Sequence, residues 1–292
     1  MKERPVENVD FLGFRVTILV AVAAVGLTIK FLTGRDMSAL MINYEAWPEE
    51  PWRLLTACLL HGSWLHLAFN VYWTFRFGAI VEPIFGIAAT LGIYILFGAT
   101  SMGAEWAFLG KPIGLSGVVY GLFGLLWALD RYHPNYAGVM NQGTTQLFVV
   151  WFFFCIVATY TGMLSIANIA HGVGAVVGGL LGLSFAFRED RRRIGRFTLP
   201  VLVITIAMLS TIGRPYVNLS PYRAFELFDD SLEALKAGDY EGAAAILEEA
   251  VSRNPEFGTA WHNLGVAYQR LGRPIDAARA FSRADELGYE PE

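Results

Sequence analysis

Long uncharged apolar runs constrain this chain more than any other feature. Of its 292 residues, 54% are hydrophobic and only 16% are charged, which is far more apolar than a soluble protein of this size. A run of about 20 apolar residues is long enough to cross a bilayer as a helix. The pattern predicts seven spans: Phe14–Phe31, Leu65–Phe85, Ile87–Ala107, Gly114–Leu129, Gln146–Met163, Asn168–Phe187 and Phe197–Gly213.

Charge and cysteine content exclude several other classes of protein. The formal net charge is only −4 and is spread over both halves of the chain, so no nucleic-acid partner is expected. Cys58 and Cys155 lie in apolar segments, which is typical of small buried hydrophobic residues rather than of a disulfide or a metal site. The first apolar run follows acidic residues and has no small-residue cleavage site, so we expect a retained helix rather than a signal peptide.

An arginine-rich segment sets the predicted orientation of the spans. Five arginines occur within Arg188–Arg196, and the positive-inside rule places this segment, interpreted as a loop, in the cytoplasm. The N-terminus is then cytoplasmic and the C-terminal tail lies outside. At about 1.5 Å per residue, His66, Ser116 and His171 all lie roughly 20–25 Å above the cytoplasmic boundary. They therefore share one depth, below the outer surface of the membrane and above its midplane.

Ser116 and His171 are the residue types of a nucleophile and its general base. Polar groups are costly in hydrocarbon and tend to be functional there, although a serine between glycines is by itself usually a packing residue. Burial favours the neutral imidazole, which can accept the serine proton. Glu105 and Asp130 stand at or beyond span ends, so the sequence predicts a dyad without a carboxylate.

Two rows of glycines accompany these residues. Gly117 and Gly121 follow the serine, and Gly174, Gly178 and Gly182 follow the histidine, each at the small-xxx-small spacing that lets membrane helices approach closely. Both rows begin directly after the polar residue. The contact that joins the two helices should therefore also bring the serine toward the histidine.

His66 and Asn70 form a third candidate group. They are four residues apart and share one helical face, where their side chains could donate hydrogen bonds to a developing oxyanion. The alternative is polar packing between helices. No HExxH sequence occurs and no carboxylate adjoins these histidines, so neither a metal nor another cofactor is expected.

The ordered motifs resemble those of rhomboid intramembrane serine proteases over most of residues 11–213. The resemblance implies that Ser116 is the nucleophile and His171 the base, with His66, Asn70 and the Ser116 backbone N–H at the oxyanion. It also implies that Tyr120 packs on the catalytic histidine, where the alternative is an ordinary core tyrosine. The matching elements are His61, His66 and Asn70; Gly114, Ser116 and Gly117; Ala170, His171, Gly174 and Gly178; Trp52 and Arg53; and Glu82.

Other features of the membrane region follow from the same resemblance. Gly114, ahead of the serine, would keep the approach to it unobstructed. The loop Met37–Arg53, with Trp47 and Trp52, would lie partly in the outer leaflet, as interfacial tryptophans do. A seventh span after a core of six is a variation found in the rhomboid family.

The tail is predicted to be a second domain, which divides the chain into residues 1–214 and 215–292. Two segments offset by 34 residues, Ala224–Phe257 and Gly258–Pro291, resemble tetratricopeptide repeats, the second well and the first partly. Two repeats are fewer than the three that usually form a stable array. The pair would therefore need stabilising contacts with the membrane domain, with another copy or with a partner. It is either a recruiting module or a stabilising helical appendage.

The resulting hypothesis is an all-α protein, a bundle of seven spans followed by a small soluble helical-repeat domain. It would be a serine endopeptidase that cleaves single-span membrane proteins near their extracytoplasmic end, in a bacterial plasma membrane. The alternative is a rhomboid-like binding or chaperone protein in which the dyad is dispensable and the repeats recruit partners. A transporter is less well supported, because no inverted repeat is apparent.

Overall fold

The computed structural model describes residues 14–42, 49–220 and 222–289. These residues form helices joined by turns and loops, with no strand among them, so the predicted all-α fold is confirmed. They divide into two compact units, a membrane unit (residues 1–217) and a repeat unit (residues 218–292).

By length and composition, four described helices of the membrane unit, α1, α3, α5 and α7, can cross a membrane. Their outward surfaces are apolar, as lipid-facing surfaces are; Val150, Phe153 and Val157 of α5 are examples. Helix α6 is apolar but shorter. The helices of this unit are α1 Arg15–Leu32, α2 Arg53–Thr56, α3 Trp64–Phe108, α4 Ser116–Tyr132, α5 Gln142–Tyr160, α6 Asn168–Leu183, α7 Glu189–Ser210 and α8 Arg214–Val217.

Helix α3 contains two of the predicted spans, which fold back on each other at Gly86. This residue has φ 78° and ψ 170°, a conformation outside the helical region. A Cβ atom built on Gly78 would lie 2.7 Å from the Tyr94 hydroxyl, whereas a straight helix would separate the two residues by about 24 Å. The two halves, α3a (64–85) and α3b (87–108), are therefore antiparallel.

The arginine-rich segment is helical, and its interpretation as a loop is wrong. Helix α7 begins at Glu189 and includes most of the arginines. Glu189 pairs with Arg192 and with Arg193, three and four residues later, a spacing that stabilises a helix. Glu189 and Asp190 also lie in the first turn, where the helix dipole favours negative charge.

A buried glutamate fixes α1 against α3a. The Glu82 carboxylate accepts hydrogen bonds from the Val16 N–H (2.9 Å), the Thr17 N–H (3.1 Å) and the Thr17 hydroxyl (2.9 Å). These amides belong to the first turn of α1, which has no carbonyl partners within its own helix. Glu82 therefore caps α1 at the end of the bundle opposite to Ser116.

Helix α4 lies at the centre of the membrane unit and touches α6 through backbone. A Cβ atom on Gly178 would lie 2.7 Å from the Gly121 carbonyl carbon and 3.0 Å from its Cα. On Gly182 it would lie 2.8 Å from the Leu125 carbonyl oxygen. Only glycine permits this approach, so the two predicted glycine rows face each other.

The repeat unit consists of two helix pairs. Their shared core includes Leu247 and Leu264, which are almost fully buried. Gly265 lies against Phe281, where a Cβ atom would come within 2.6 Å of the aromatic ring. The helices are α9 Arg223–Ala237, α10 Tyr240–Arg253, α11 Gly258–Arg270 and α12 Pro274–Glu286.

Candidate active site

A glycine turn places Ser116 at the first residue of α4. Gly114 has φ 108°, a backbone conformation that glycine adopts without strain. A Cβ atom at Gly114 would lie 2.7 Å from His66 Cε1 and 2.8 Å from His66 Nε2. Gly114 therefore admits the His66 ring beside the serine and leaves Ser116 half-buried at the helix start.

His61 holds this turn in place through a chain of three hydrogen bonds. The Leu115 N–H donates to His61 Nε2 (3.3 Å). Thr28 Oγ1 donates to the Leu59 carbonyl oxygen (3.2 Å), so it accepts the proton of His61 Nδ1 (3.2 Å). This pattern assigns the neutral Nδ1–H tautomer to His61. The ring thereby connects α1 to the residue directly before Ser116.

His171 lies in the first turn of α6 beneath an aromatic ring. Tyr120, one turn after Ser116, stacks on it with 4.6 Å between ring centroids and an angle of 24°. The imidazole is only 4% exposed, and its Nδ1 atom is buried without a hydrogen-bond partner. Stacking and burial hold the ring, and no described carboxylate hydrogen-bonds to it.

Close backbone packing brings the starts of α4 and α6 together. A Cβ atom on Gly117, the residue after Ser116, would lie 3.4 Å from the carbonyl oxygen of Ala170, the residue before His171. A Cβ atom on Gly174 would meet the Gly117 carbonyl group. The described residues include no hydrogen bond between Ser116 and His171; such contacts often tighten only when substrate binds.

Asn70 and His66 complete the cluster on α3a. Asn70 Nδ2 donates to the His66 carbonyl oxygen at 3.0 Å, which leaves its second N–H available. The His66 ring contacts His61 at a centroid distance of 4.8 Å. His61 and His66 thus come together beside the turn that carries Ser116, Asn70 lies one helical turn after His66, and His171 lies at the adjoining start of α6.

Glu105, at the end of α3b, is a site component that sequence reasoning missed. Its carboxylate accepts a hydrogen bond from the Ala170 N–H at 2.9 Å, and its side chain is 5% exposed. Ala170 lies in the first turn of α6, whose amides have no partners within the helix. Glu105 therefore anchors the helix start that bears His171. The sequence did contain a signal for this role, because Glu105 was predicted to lie at the membrane face where the helix bearing His171 begins.

The Trp52–Arg53 pair lies where the loop after α1 ends and α2 begins. The Arg53 guanidinium donates to the Ser38 carbonyl oxygen (2.8 Å) and the Met41 carbonyl oxygen (3.0 Å) and pairs with Glu50. Arg53 thus joins both ends of this loop. Trp52 is half exposed, and the predicted interfacial Trp47 lies outside the described residues.

Fold and site together define a helical membrane protein in which a serine and a histidine occupy neighbouring helix starts. Residues 48–188 match the family model described as Rhomboid domain, and residues 229–291 match Tetratricopeptide repeat. The predicted resemblance is therefore confirmed: residues 48–188 are similar to rhomboid domains, and residues 229–291 are similar to tetratricopeptide repeats.

Several curated relatives share the membrane region. "Rhomboid protease GlpG" of Yersinia pseudotuberculosis serotype I (strain IP32953) is 31% identical over 184 residues, which are 60% of this chain and 63% of that protein. "Rhomboid protease GlpG" of Serratia proteamaculans (strain 568) is 33% identical over 162 residues, 52% of this chain and 55% of that protein. The chain thus covers less than two thirds of the length of these relatives.

Proposed function

We propose that this protein is an intramembrane serine endopeptidase with a Ser116–His171 dyad. The observation that carries the proposal is the backbone contact between α4 and α6, which places the two starts side by side with Tyr120 stacked on His171. Proteins named rhomboid proteases share this region. Seven spans in a bacterial plasma membrane, with the arginine-rich end cytoplasmic, complete the proposal.

In the proposed reaction, Ser116 Oγ attacks the scissile carbonyl carbon and its proton passes to His171 Nε2. The other ring proton of His171 is then on Nδ1, which is buried without a hydrogen-bond partner. The tetrahedral intermediate collapses when His171 returns the proton to the leaving amine, which gives an acyl-enzyme on Ser116. Water, deprotonated by His171, then hydrolyses the ester.

Three groups are the proposed donors to the developing oxyanion. The Ser116 N–H belongs to the first turn of α4, where amides have no intrahelical acceptor and the helix dipole is positive. The free N–H of Asn70 and the His66 ring supply two further donors. Gly114 keeps the region beside them clear, since any side chain there would meet His66. Donors arranged before the reaction lower the barrier most effectively.

The substrates we propose are single-span membrane proteins that unwind near their extracytoplasmic end. Ser116, His171 and His66 each lie at the start of a helix that then runs toward the arginine-rich end. The dyad therefore lies near the outer face, where water for hydrolysis is available. The bilayer is the working environment of the enzyme, and no cofactor is required by this chemistry.

We place the repeat region at residues 215–292 and propose that it binds a protein partner or the soluble part of a substrate. Its support is the match to tetratricopeptide repeats, whose stacked helices form extended binding surfaces. Deletion of this region should reduce cleavage of the natural substrate but leave reaction of the dyad with a small probe intact.

The test compares two serine variants of the full chain. Ser116→Ala should lower cleavage of a model transmembrane substrate by at least about 10³-fold and abolish labelling by a fluorophosphonate. Ser101→Ala is the matched control, because Ser101 is a buried serine beside Gly117 that hydrogen-bonds only within its own helix. It should keep both activities.

Continued cleavage by Ser116→Ala would reject the dyad. If Ser116→Ala kept the cellular phenotype while deletion of residues 224–292 removed it, the binding or chaperone function would be correct instead.

A further inference from the structure

A cleft at the arginine-rich end of the membrane unit has no role in the proposed chemistry. Its volume is about 360 Å³, and it lies between the end of α4 with the following turn and the start of α7. Helix α4 separates it from Ser116 by about 24 Å. Its lining includes Arg131, His133, Phe187, Arg188 and Arg191.

The cleft gathers positive charge from two separate segments. Arg131 lies in the last turn of α4 and makes no ion pair with any described residue, whereas Arg188 and Arg191 share Asp190 at 3.3 and 3.9 Å. The one acid in the lining is Asp130. Its carboxylate accepts hydrogen bonds from the Gly138 and Met140 amides. A positive excess therefore remains for an anion.

The walls of the cleft are fixed and carry a further donor. The Phe187 N–H donates to the Tyr132 carbonyl oxygen at 3.0 Å, which joins the two segments. The Arg191 guanidinium lies 5.6 Å from the Tyr132 ring centroid. His133 Nδ1 accepts the Asn135 N–H at 3.3 Å, so the proton of its neutral ring is on Nε2 and can be donated to an oxygen.

The surroundings of the cleft are those of a membrane boundary. Phe187 and Phe197 are 72% and 74% exposed, and Ile194 is also exposed next to the arginines. Trp127, exposed on α4, lies one turn from Tyr132 and marks the interfacial level at which tryptophan is enriched. Anion-binding groups thus adjoin an apolar surface suited to acyl chains.

We propose that this cleft binds the phosphate of an anionic phospholipid headgroup, with the acyl chains along Phe187 and Phe197. Guanidinium groups recognise phosphate oxygens through paired hydrogen bonds, and basic pockets between membrane helices bind anionic headgroups in this way. A phosphodiester with one negative charge balances the positive excess. Phosphatidylglycerol is the lipid of this class used as the probe below.

The experiment measures lipid retention by the full chain in neutral detergent, using native mass spectrometry with phosphatidylglycerol or phosphatidylcholine added. The variant Arg131→Gln with Arg188→Gln should lower phosphatidylglycerol affinity by at least about tenfold. The matched control, Arg193→Gln with Arg196→Gln, removes the same charge from the same end but not from the cleft, and should retain binding. Phosphatidylcholine should bind weakly to all three proteins.

Equal losses in the two double variants would show that general charge attracts the lipid and would overturn the site, as would no loss in either. Displacement of the lipid by inorganic phosphate at equal concentration would overturn the lipid as occupant. Arg131→Gln alone serves if the double variant unfolds, because Arg131 pairs with no acid among the residues that the structure describes; it should still lower affinity several-fold. Ser116→Ala should bind phosphatidylglycerol like the wild type, which separates this site from the dyad.

Discussion

Replacing Gly178 with alanine tests whether backbone contact between α4 and α6 assembles the site. The new Cβ atom would lie 2.7 Å from the Gly121 carbonyl carbon and 3.0 Å from its Cα, whereas ordinary contact begins at 3.4 Å. Neither atom can rotate away, so the helices must separate. The neighbouring Gly179 supplies the control, since its Cβ atom would meet only the Gly124 carbonyl oxygen at 4.0 Å.

The expected change in the free energy of unfolding differs in sign between Gly178→Ala and Gly179→Ala. Alanine gains about 0.8–1 kcal/mol of helix propensity over glycine at either position. Overpacking at Gly178 costs about 1–3 kcal/mol, and more where backbone must move, so Gly178→Ala should be less stable by about 1–2 kcal/mol. Gly179→Ala should be as stable as the wild type or slightly more so.

The same displacement should reach the dyad. Gly178 lies two turns after His171, and Gly121 lies just over one turn after Ser116. A misplacement of about 1 Å between reacting groups costs about 10²-fold in rate. Gly178→Ala should therefore lose about that factor in cleavage, while Gly179→Ala keeps full activity.

Two measurements on the purified full chain decide the matter. Loss of helical circular dichroism on heating in detergent gives the stability, and cleavage of a transmembrane substrate gives the rate. If Gly178→Ala matched Gly179→Ala in both, close approach of α4 and α6 would not be what positions the dyad.

Three further perturbations follow from the site and the repeats. Gly114→Ala should cost about 1–3 kcal/mol in backbone strain and press on the adjacent histidine ring; normal fluorophosphonate labelling by a stable variant would contradict this. Glu105→Gln keeps an acceptor for the Ala170 N–H and should change labelling little, whereas Glu105→Leu leaves that amide unpaired at about 1–3 kcal/mol and should slow labelling; equal rates would argue against anchoring. In the repeat unit, burial and the hydrogen bond to Glu248 raise the pKa of Tyr268 to about 12. Its contribution to stability is therefore complete below pH 10.0, the ordinary value, and is lost as the pH rises toward about 12. A difference absorbance titration of the wild type against Tyr268→Phe checks this, and ionisation near the ordinary value would refute it.

The helical fold and the contact between the glycine rows were predictable because both depend on local chemistry. Apolar runs of membrane-crossing length predicted all-α structure, and the predicted break between two spans at Gly86 is where the chain leaves the helical conformation and turns back. The glycine rows predicted the α4–α6 contact, since small residues at that spacing have few other uses in membrane helices.

Tertiary structure alone decided which polar side chain hydrogen-bonds to the backbone amides at which helix start. Glu105 and Glu82 cap helices 65 and 66 residues away in the chain, and His61 reaches Leu115 across 54 residues. Residue type and periodicity specify a donor or an acceptor but not its distant partner, because the partner depends on how separate helices pack. The amino-acid sequence by itself therefore determined the helices and the chemical groups of this protein. The packing determined how buried amides are satisfied and how the starts of α4 and α6, which carry Ser116 and His171, come to lie next to each other.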